Sequence, residues 1–232
     1  MNSTDIYYKI TTGLNKLDSN DYQNIEKWII QQEYHKAKLN LIREQINGVN
    51  IKKEGKEASI FKITDLQILL KSDILSGENK KVYFESQIIP KNFLYYSRLT
   101  PTIKNPDCDT PFQIQSIPIE DSNVDEYLND DLKAPSLKFE QCFHTFNSNK
   151  IKIYHNNEFE VKECLLNYYR NPTLIQFQGA EQSNGSIGKQ MDEEFKEDVV
   201  ELFIEKTIAN IASNIESINR KQIAEQSLQQ DI

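Results

Sequence analysis

The chain has 232 residues, 38% of them hydrophobic and 10% aromatic, with a formal net charge of -8. That composition supplies a core for one ordinary domain or two small ones and excludes a chain that is disordered throughout. No apolar run reaches the ~20 residues of a membrane-spanning helix, and the opening MNSTDIYYKI lacks the basic-then-apolar pattern of a secretion signal, so the protein is expected to act where it is made.

The chain begins as helix. Ser3 or Thr4 can cap a first helix with the stripe Ile6, Ile10, Leu14 and Leu17, ending near Asp18. Ser19 then caps a second, predicted over 20–47, with Tyr22, Ile25, Ile29, Leu39, Ile42 and Ile46 as its stripe and Gly48 as its stop. Such a rod runs about 42 Å at 1.5 Å per residue. Trp28 and Ile30 widen its apolar surface and call for a partner. Between 52 and 71 the signals mix, and the boundary stays open.

The middle of the chain reads as strands. Residues 81–88 and 93–103 are rich in branched and aromatic types and flank the turn Pro90-Lys91-Asn92. Pro118 makes 112–119 an edge strand, because proline has no N–H for a ladder. A short acidic helix follows from Ser122 or Asn123 to Leu132, then an alternating strand over 138–146. Residues 151–155 and 161–169 alternate most plainly of all, and Asn156-Asn157-Glu158 between them predicts a hairpin. Tyr95-Tyr96 and Tyr168-Tyr169 are doublets on strands, so one of each pair must face out, as ordinary sheet surface or as a contact surface.

Residues 178–191, QGAEQSNGSIGKQM, form a polar loop containing Gly179, Gly185 and Gly188, of a length usually functional or disordered. A final helix is predicted over 193–220, with a polar tail over 221–232. The expected fold class is α+β: long N- and C-terminal helices packed together, carrying a central antiparallel β-sheet module. The expected domains are a helical one, 1–72 plus 193–220, and a β module, 73–192.

Charge is unevenly placed. Residues 1–71 hold 11 Lys and Arg against 9 Asp and Glu, and the remainder holds 16 against 26. Glu120, Asp121, Asp125, Glu126, Asp130 and Asp131 form one acidic cluster, and a second lies over 192–205. Tight nucleic-acid binding needs a basic face to neutralise phosphates, so gripping DNA is disfavoured while letting it slide past is not.

Residue chemistry points away from catalysis. Cys108, Cys142 and Cys164 are widely spaced without a CxxC pair, and read as reduced structural thiols. Gly188-Lys189 lacks the first glycine and the Ser or Thr of a phosphate loop, and His35, His144 and His155 have no acidic or cysteine partner at ligand spacing. The expectation is no catalytic residue, no metal site and no cofactor.

Six segments, spread in order along nearly the whole chain, are KLDSNDYQNIEKW, ITDLQILLK, IPKNFLYYSRL, NVDEYLNDDLKAPS, KIKIYHN with LNYYRNPTLIQFQG, and EFKEDVVELFIEKTIANIASNIES. In these the sequence resembles the small virion proteins of crAss-like and related short-tailed phages that form rings between portal and tail, the head-to-tail connector, adaptor or tail-tubular class. The resemblance implies a virion protein assembled in the host bacterial cytoplasm, a homo-oligomeric ring of twelve copies, no catalysis and no cofactor. Its partners are implied to be further copies of itself, the portal and neighbouring connector or tail rings, with DNA passing through unbound and no membrane involved. On that reading Trp28, Ile30, Tyr95, Tyr96, Tyr168, Tyr169, Gly179, Gly185 and Gly188 are candidate subunit or tier contacts, and the cluster at 120–131 is a candidate acidic lumen. The alternatives are a nucleic-acid-binding or packaged virion protein, a lower-tier tail ring, and a hydrolase with an unfamiliar site.

Overall fold

The computed structural model describes residues 1–17, 25–47, 65–105, 108–182 and 185–230. The expected end at Asp18, the caps and stops at Ser19 and Gly48, and residues 52–64 of the mixed segment lie outside them. The chain divides into two compact units, Met1–Ile68 with Pro172–Ile232, and Leu69–Asn171. Residues 178–191 therefore belong with the helices rather than with the strands.

The first unit holds α1 (Ser3–Leu17), α2 (Lys27–Asn47) and α4 (Glu197–Gln230). Asn2, not Ser3 or Thr4, caps α1: its Oδ1 accepts the Asp5 N–H at 2.9 Å, while the buried Ser3 Oγ accepts the N–H of Met191 at 3.1 Å. Ile6, Ile10 and Leu14 line the buried face of α1 as their spacing predicts. In α2 the buried face is Ile30, Tyr34, Ala37, Lys38 and Ile42, whereas Ile29 is exposed. The predicted stripe is displaced because two of its true members, Tyr34 and Lys38, carry polar ends that are satisfied inside. From α4 come Val199, Val200, Phe203, Ile204, Thr207 and Ile211. Gly13 lets α4 approach α1, since a Cβ there would stand 2.4 Å from the Ile208 Cδ1. Lys9 pairs with Glu201, and Lys206 with Glu44.

The second unit is a β sandwich. Its strands are β1 (Leu70–Leu75), β2 (Gly77–Asn79), β3 (Tyr83–Ser86), β4 (Phe93–Asn105), β5 (Cys108–Gln113), β6 (Gln115–Pro118), β7 (Gln141–Asn147), β8 (Lys150–Tyr154) and β9 (Glu160–Arg170), with the short α3 (Val124–Asn129) between β6 and β7. One sheet has the order β1-β9-β4-β5 and the other β2-β3-β8-β7-β6. Leu75, Leu99, Ile103, Cys164, Leu166 and Tyr168 from the first meet Phe84, Cys142, Ile151 and Ile153 from the second in one apolar core.

These findings correct the expected architecture. Long terminal helices packed together and carrying one central antiparallel sheet is not what forms. Among the described residues there are four separate helices, α2 starts only at Lys27, and nine strands make two sheets. β6 and β7 run parallel, which the crossover containing α3 makes possible. Nor is β8 to β9 a hairpin. β8 pairs with β3 and β7, while β9 pairs with β1 and β4, so the chain crosses the sandwich between them. Asn156 and Asn157 do take left-handed φ values of 46° and 61°, but Phe159 then plunges into the core and carries β9 to the opposite sheet.

Candidate functional site

The helical unit is built around an extended segment that α2 holds by its side chains. Lys38, His35 and Gln31 lie one turn apart along α2 and face residues 173, 175 and 177, whose backbone repeats at a similar interval. Lys38 Nζ donates to the Thr173 carbonyl at 2.9 Å, His35 Nε2 donates to the Ile175 carbonyl at 2.9 Å, and Gln31 Oε1 accepts the Phe177 N–H at 2.9 Å. A carbonyl only accepts, so the His35 proton sits on Nε2. Burial pushes the His35 pKa down, against the pull of that bond.

Next to this ladder lies a buried ion pair. Lys38 Nζ stands 2.5 Å from Glu193 Oε1, both side chains have no exposed surface, and the Tyr34 hydroxyl donates to Glu193 Oε2 at 2.9 Å. Glu193 also accepts the Glu194 N–H at 3.0 Å, and Lys38 lies over the Phe195 ring at 5.0 Å. Burial, then the neighbouring Glu193 charge, push the Tyr34 hydroxyl far up, so it stays a donor. Each oxygen and the ammonium have partners, which is the condition for a buried pair to persist. The sequence offered one signal for it: a Tyr and a Lys four residues apart within an apolar helical stripe.

Residues 178–182 and 185–188 are paired as two short antiparallel arms rather than left as an irregular loop. The Gly179 and Gly188 N–H groups donate to the Gly188 and Ala180 carbonyls at 3.1 and 2.8 Å, and the Gln182 N–H donates to the Ser186 carbonyl at 2.9 Å. Gly179 and Gly185 have φ values of 79° and 75°, and a Cβ on the buried Gly188 would lie 2.3 Å from the Phe177 carbonyl oxygen. Gln31 and Gln182 join their amides at 2.9 Å, fixing the hairpin to α2. Glu181 and Ile187 are cross-strand partners, so they share a face, and Ile187 is 71% exposed.

Both units carry concave surfaces. On the helical unit Trp28, Gln32, His35, Leu174, Gln176 and Glu181 surround about 500 Å³. On the sandwich Ile88, Pro90, Lys91, Phe93, Tyr95 and Phe146 surround about 760 Å³. Aromatic packing shapes the second groove: ring centroids are 5.4 Å apart for Tyr96 and Phe146 and 5.6 Å for Phe93 and Tyr168. His144, fully buried, packs on Tyr96 and Phe146 at 5.3 and 5.5 Å. Its Nδ1 is 2.7 Å from Ser116 Oγ, its Nε2 has no hydrogen-bond partner, and burial holds its pKa down at about 4.

The candidate contact residues are divided between the two units. Trp28 is exposed, whereas Ile30 is buried in the helical core. Tyr95 and Tyr169 are cross-strand partners, as are Tyr96 and Tyr168. Tyr168 is buried in the sandwich, with its hydroxyl shared between Asp73 Oδ2 at 2.7 Å and Asn92 Oδ1 at 3.0 Å, so it too is a core residue. Tyr96 lines the groove, and its hydroxyl accepts the Leu99 N–H at 3.0 Å. Gly179 and Gly185 lie exposed on the hairpin, while Gly188 is enclosed by it.

The acidic cluster has a base that its own stretch of sequence lacks. Lys133 Nζ reaches Glu126 at 2.7 Å and Asp130 at 3.5 Å and lies over the Tyr127 ring at 5.2 Å. Asp130 Oδ1 accepts the Leu132 N–H at 2.9 Å, which with Lys133 holds its carboxyl below the usual range. Glu120, Asp121, Asp125 and Asp131 remain open to solvent.

The fold and its surfaces define a chain of two units, a helical one interrupted by an inserted β sandwich. No protein-family model matches it, and no curated protein matches its sequence. Among the described residues no three His, Cys, Asp or Glu side chains are grouped to hold a metal ion, and no helix is long and apolar enough to cross a membrane.

Proposed function

We propose that this protein is a structural ring subunit of a short-tailed phage virion, standing in the head-to-tail connector between portal and tail. One observation carries the reading: the apolar surface that a single folded copy leaves uncovered. Tyr8, Trp28, Ile187 and Leu202 are exposed on the helical unit, and Ile74, Ile88, Leu132 and Phe139 on the sandwich. Scattered apolar side chains are normal on a monomer, but here several flank concave surfaces, where burial by a neighbour gains most. Identical copies closing into a collar cover them through a heterologous contact, one surface meeting a different one on the next copy. Glu120, Asp121, Asp125 and Asp131 face the DNA passage in this arrangement, where their charge keeps the duplex from adhering.

The test is assembly. The purified chain is examined by mass photometry and negative-stain electron microscopy, alone and mixed with portal and the neighbouring ring proteins. Closed rings of fixed copy number, free or seated on portal, are expected. A chain that stays monomeric in every mixture would refute the reading.

A further inference from the structure

We infer that the paired arms 178–182 and 185–188 of one copy, a hairpin in register at Glu181 and Ile187, insert Ile187 into the aromatic groove on the sandwich of the next copy, with Glu181 beside Lys91 of that groove. The contact rests on the ring reading and names its joint. The groove is lined by Ile88, Pro90, Phe93, Leu94, Tyr95, Tyr96 and Phe146, and Lys91 is the single charged residue among its lining. The hairpin matches it feature for feature. Ile187 is its large apolar side chain and protrudes, and Glu181 is the only charged residue between 178 and 188. Because these two are cross-strand partners, the apolar group and the opposite charge arrive together on one face.

Rigidity favours the same occupant. The hairpin is tied to α2 through the Gln31 and Gln182 amides and closed by its own backbone bonds, so little conformational freedom is lost when it docks. The groove is equally set by the packed rings of Phe93, Tyr96 and Phe146. Knob and groove are different surfaces of one chain, so each copy offers both. The contact is heterologous, so repeating it gives a ring where the rotation closes, as the ring reading requires, rather than a two-fold pair.

The experiment uses the full chain under conditions in which the wild type assembles, alone or on portal, with circular dichroism to verify folding. Ile187→Asp places a charge against an apolar groove and is expected to raise the concentration needed for assembly about tenfold or more. Glu181→Lys and Lys91→Glu are each expected to raise it about two- to fivefold, and the double variant to return close to wild type. Copies carrying Ile187→Cys mixed with copies carrying Ile88→Cys under mild oxidation by diamide should give a cross-linked dimer that neither forms alone. Rings that form normally with Ile187→Asp, or a double charge reversal worse than either single one, would overturn this contact and leave the ring reading standing. A wild type that never assembles removes both.

Discussion

Lys38 and Glu193, 155 residues apart in the chain, meet at 2.5 Å with neither side chain exposed to solvent. The pair ties α2 to the segment that leads into α4, and Tyr34 and Thr173 complete its hydrogen bonds. Two charges that are removed from water together hold each other in place, but one left alone has no such compensation. Lys38→Met and Glu193→Gln are therefore each expected to cost about 3–5 kcal/mol, because each leaves the other charge buried without its partner. Lys38→Met with Glu193→Leu should cost clearly less than the two singles added. Urea unfolding of the four proteins measures the coupling, and simple additivity would mean that the pair does not act as a unit.

Gly77 and Gly185 separate two reasons for needing glycine. A Cβ at Gly77 would lie 2.1 Å from the Glu85 carbonyl oxygen, where the chain steps from β1 in one sheet to β2 in the other. The Glu85 backbone and the fully buried Phe84 ring crowd the position, and neither yields cheaply. Gly185 has open space around it and only a left-handed φ of 75°. Gly77→Ala should lose about 1–3 kcal/mol, as overpacking does, and Gly185→Ala about 1 kcal/mol, the left-handed penalty alone. The order of the two thermal midpoints checks it; Gly185→Ala as the worse variant would contradict the account.

His144 makes stability depend on acid. Its folded pKa, about 4, lies below the ordinary value of 6.5, so the folded protein prefers the neutral ring. The stability is fully present above pH 6.5 and falls as the unfolded chain takes up a proton that the folded one refuses, until the pH reaches about 4. The difference corresponds to roughly 3 kcal/mol at 1.36 kcal/mol per pH unit. His35 and His155 are held down in the same direction, by burial first. Urea unfolding at pH 7 and pH 4.5 should show the loss, and His144→Asn should show less of it while starting from lower stability at pH 7. An identical acid dependence in the variant would place the effect elsewhere.

How much of this was legible follows from where each signal resides. Local signals read well: the stripe of α1, the strands around Pro90, and the alternation in β8 and β9 all depend on neighbours in sequence. Pairing did not. The Asn156-Asn157 turn is consistent with a hairpin, and only the long register of β9 against β4, from Phe93↔Arg170 to Lys104↔Glu160, shows that its partner lies more than fifty residues away. Likewise Tyr34 and Lys38 look like surface residues until Glu193 is placed beside them. The hairpin of arms 178–182 and 185–188 was invisible to periodicity because glycines and an amide pair define it, not alternation.

Tyr168 provides the alkaline counterpart to His144. Its hydroxyl is pushed up to about 12, by desolvation first and then by Asp73, to which it donates. The folded state thus keeps the phenol protonated above pH 10.0, where the unfolded chain begins to lose the proton. A raised folded value gives stability that is complete below the unfolded pKa and declines as the pH climbs toward the folded one. Tyr168→Phe keeps the ring stacked on Phe93 but removes the hydrogen bond, so it should cost about 1 kcal/mol at pH 7. Between pH 10 and 11.5 the wild type should lose part of its lead, and the two urea midpoints should converge. A gap that stays constant across that range would show that the Tyr168 proton is not linked to folding, and that Asp73 and Asn92 hold the residue only by shape.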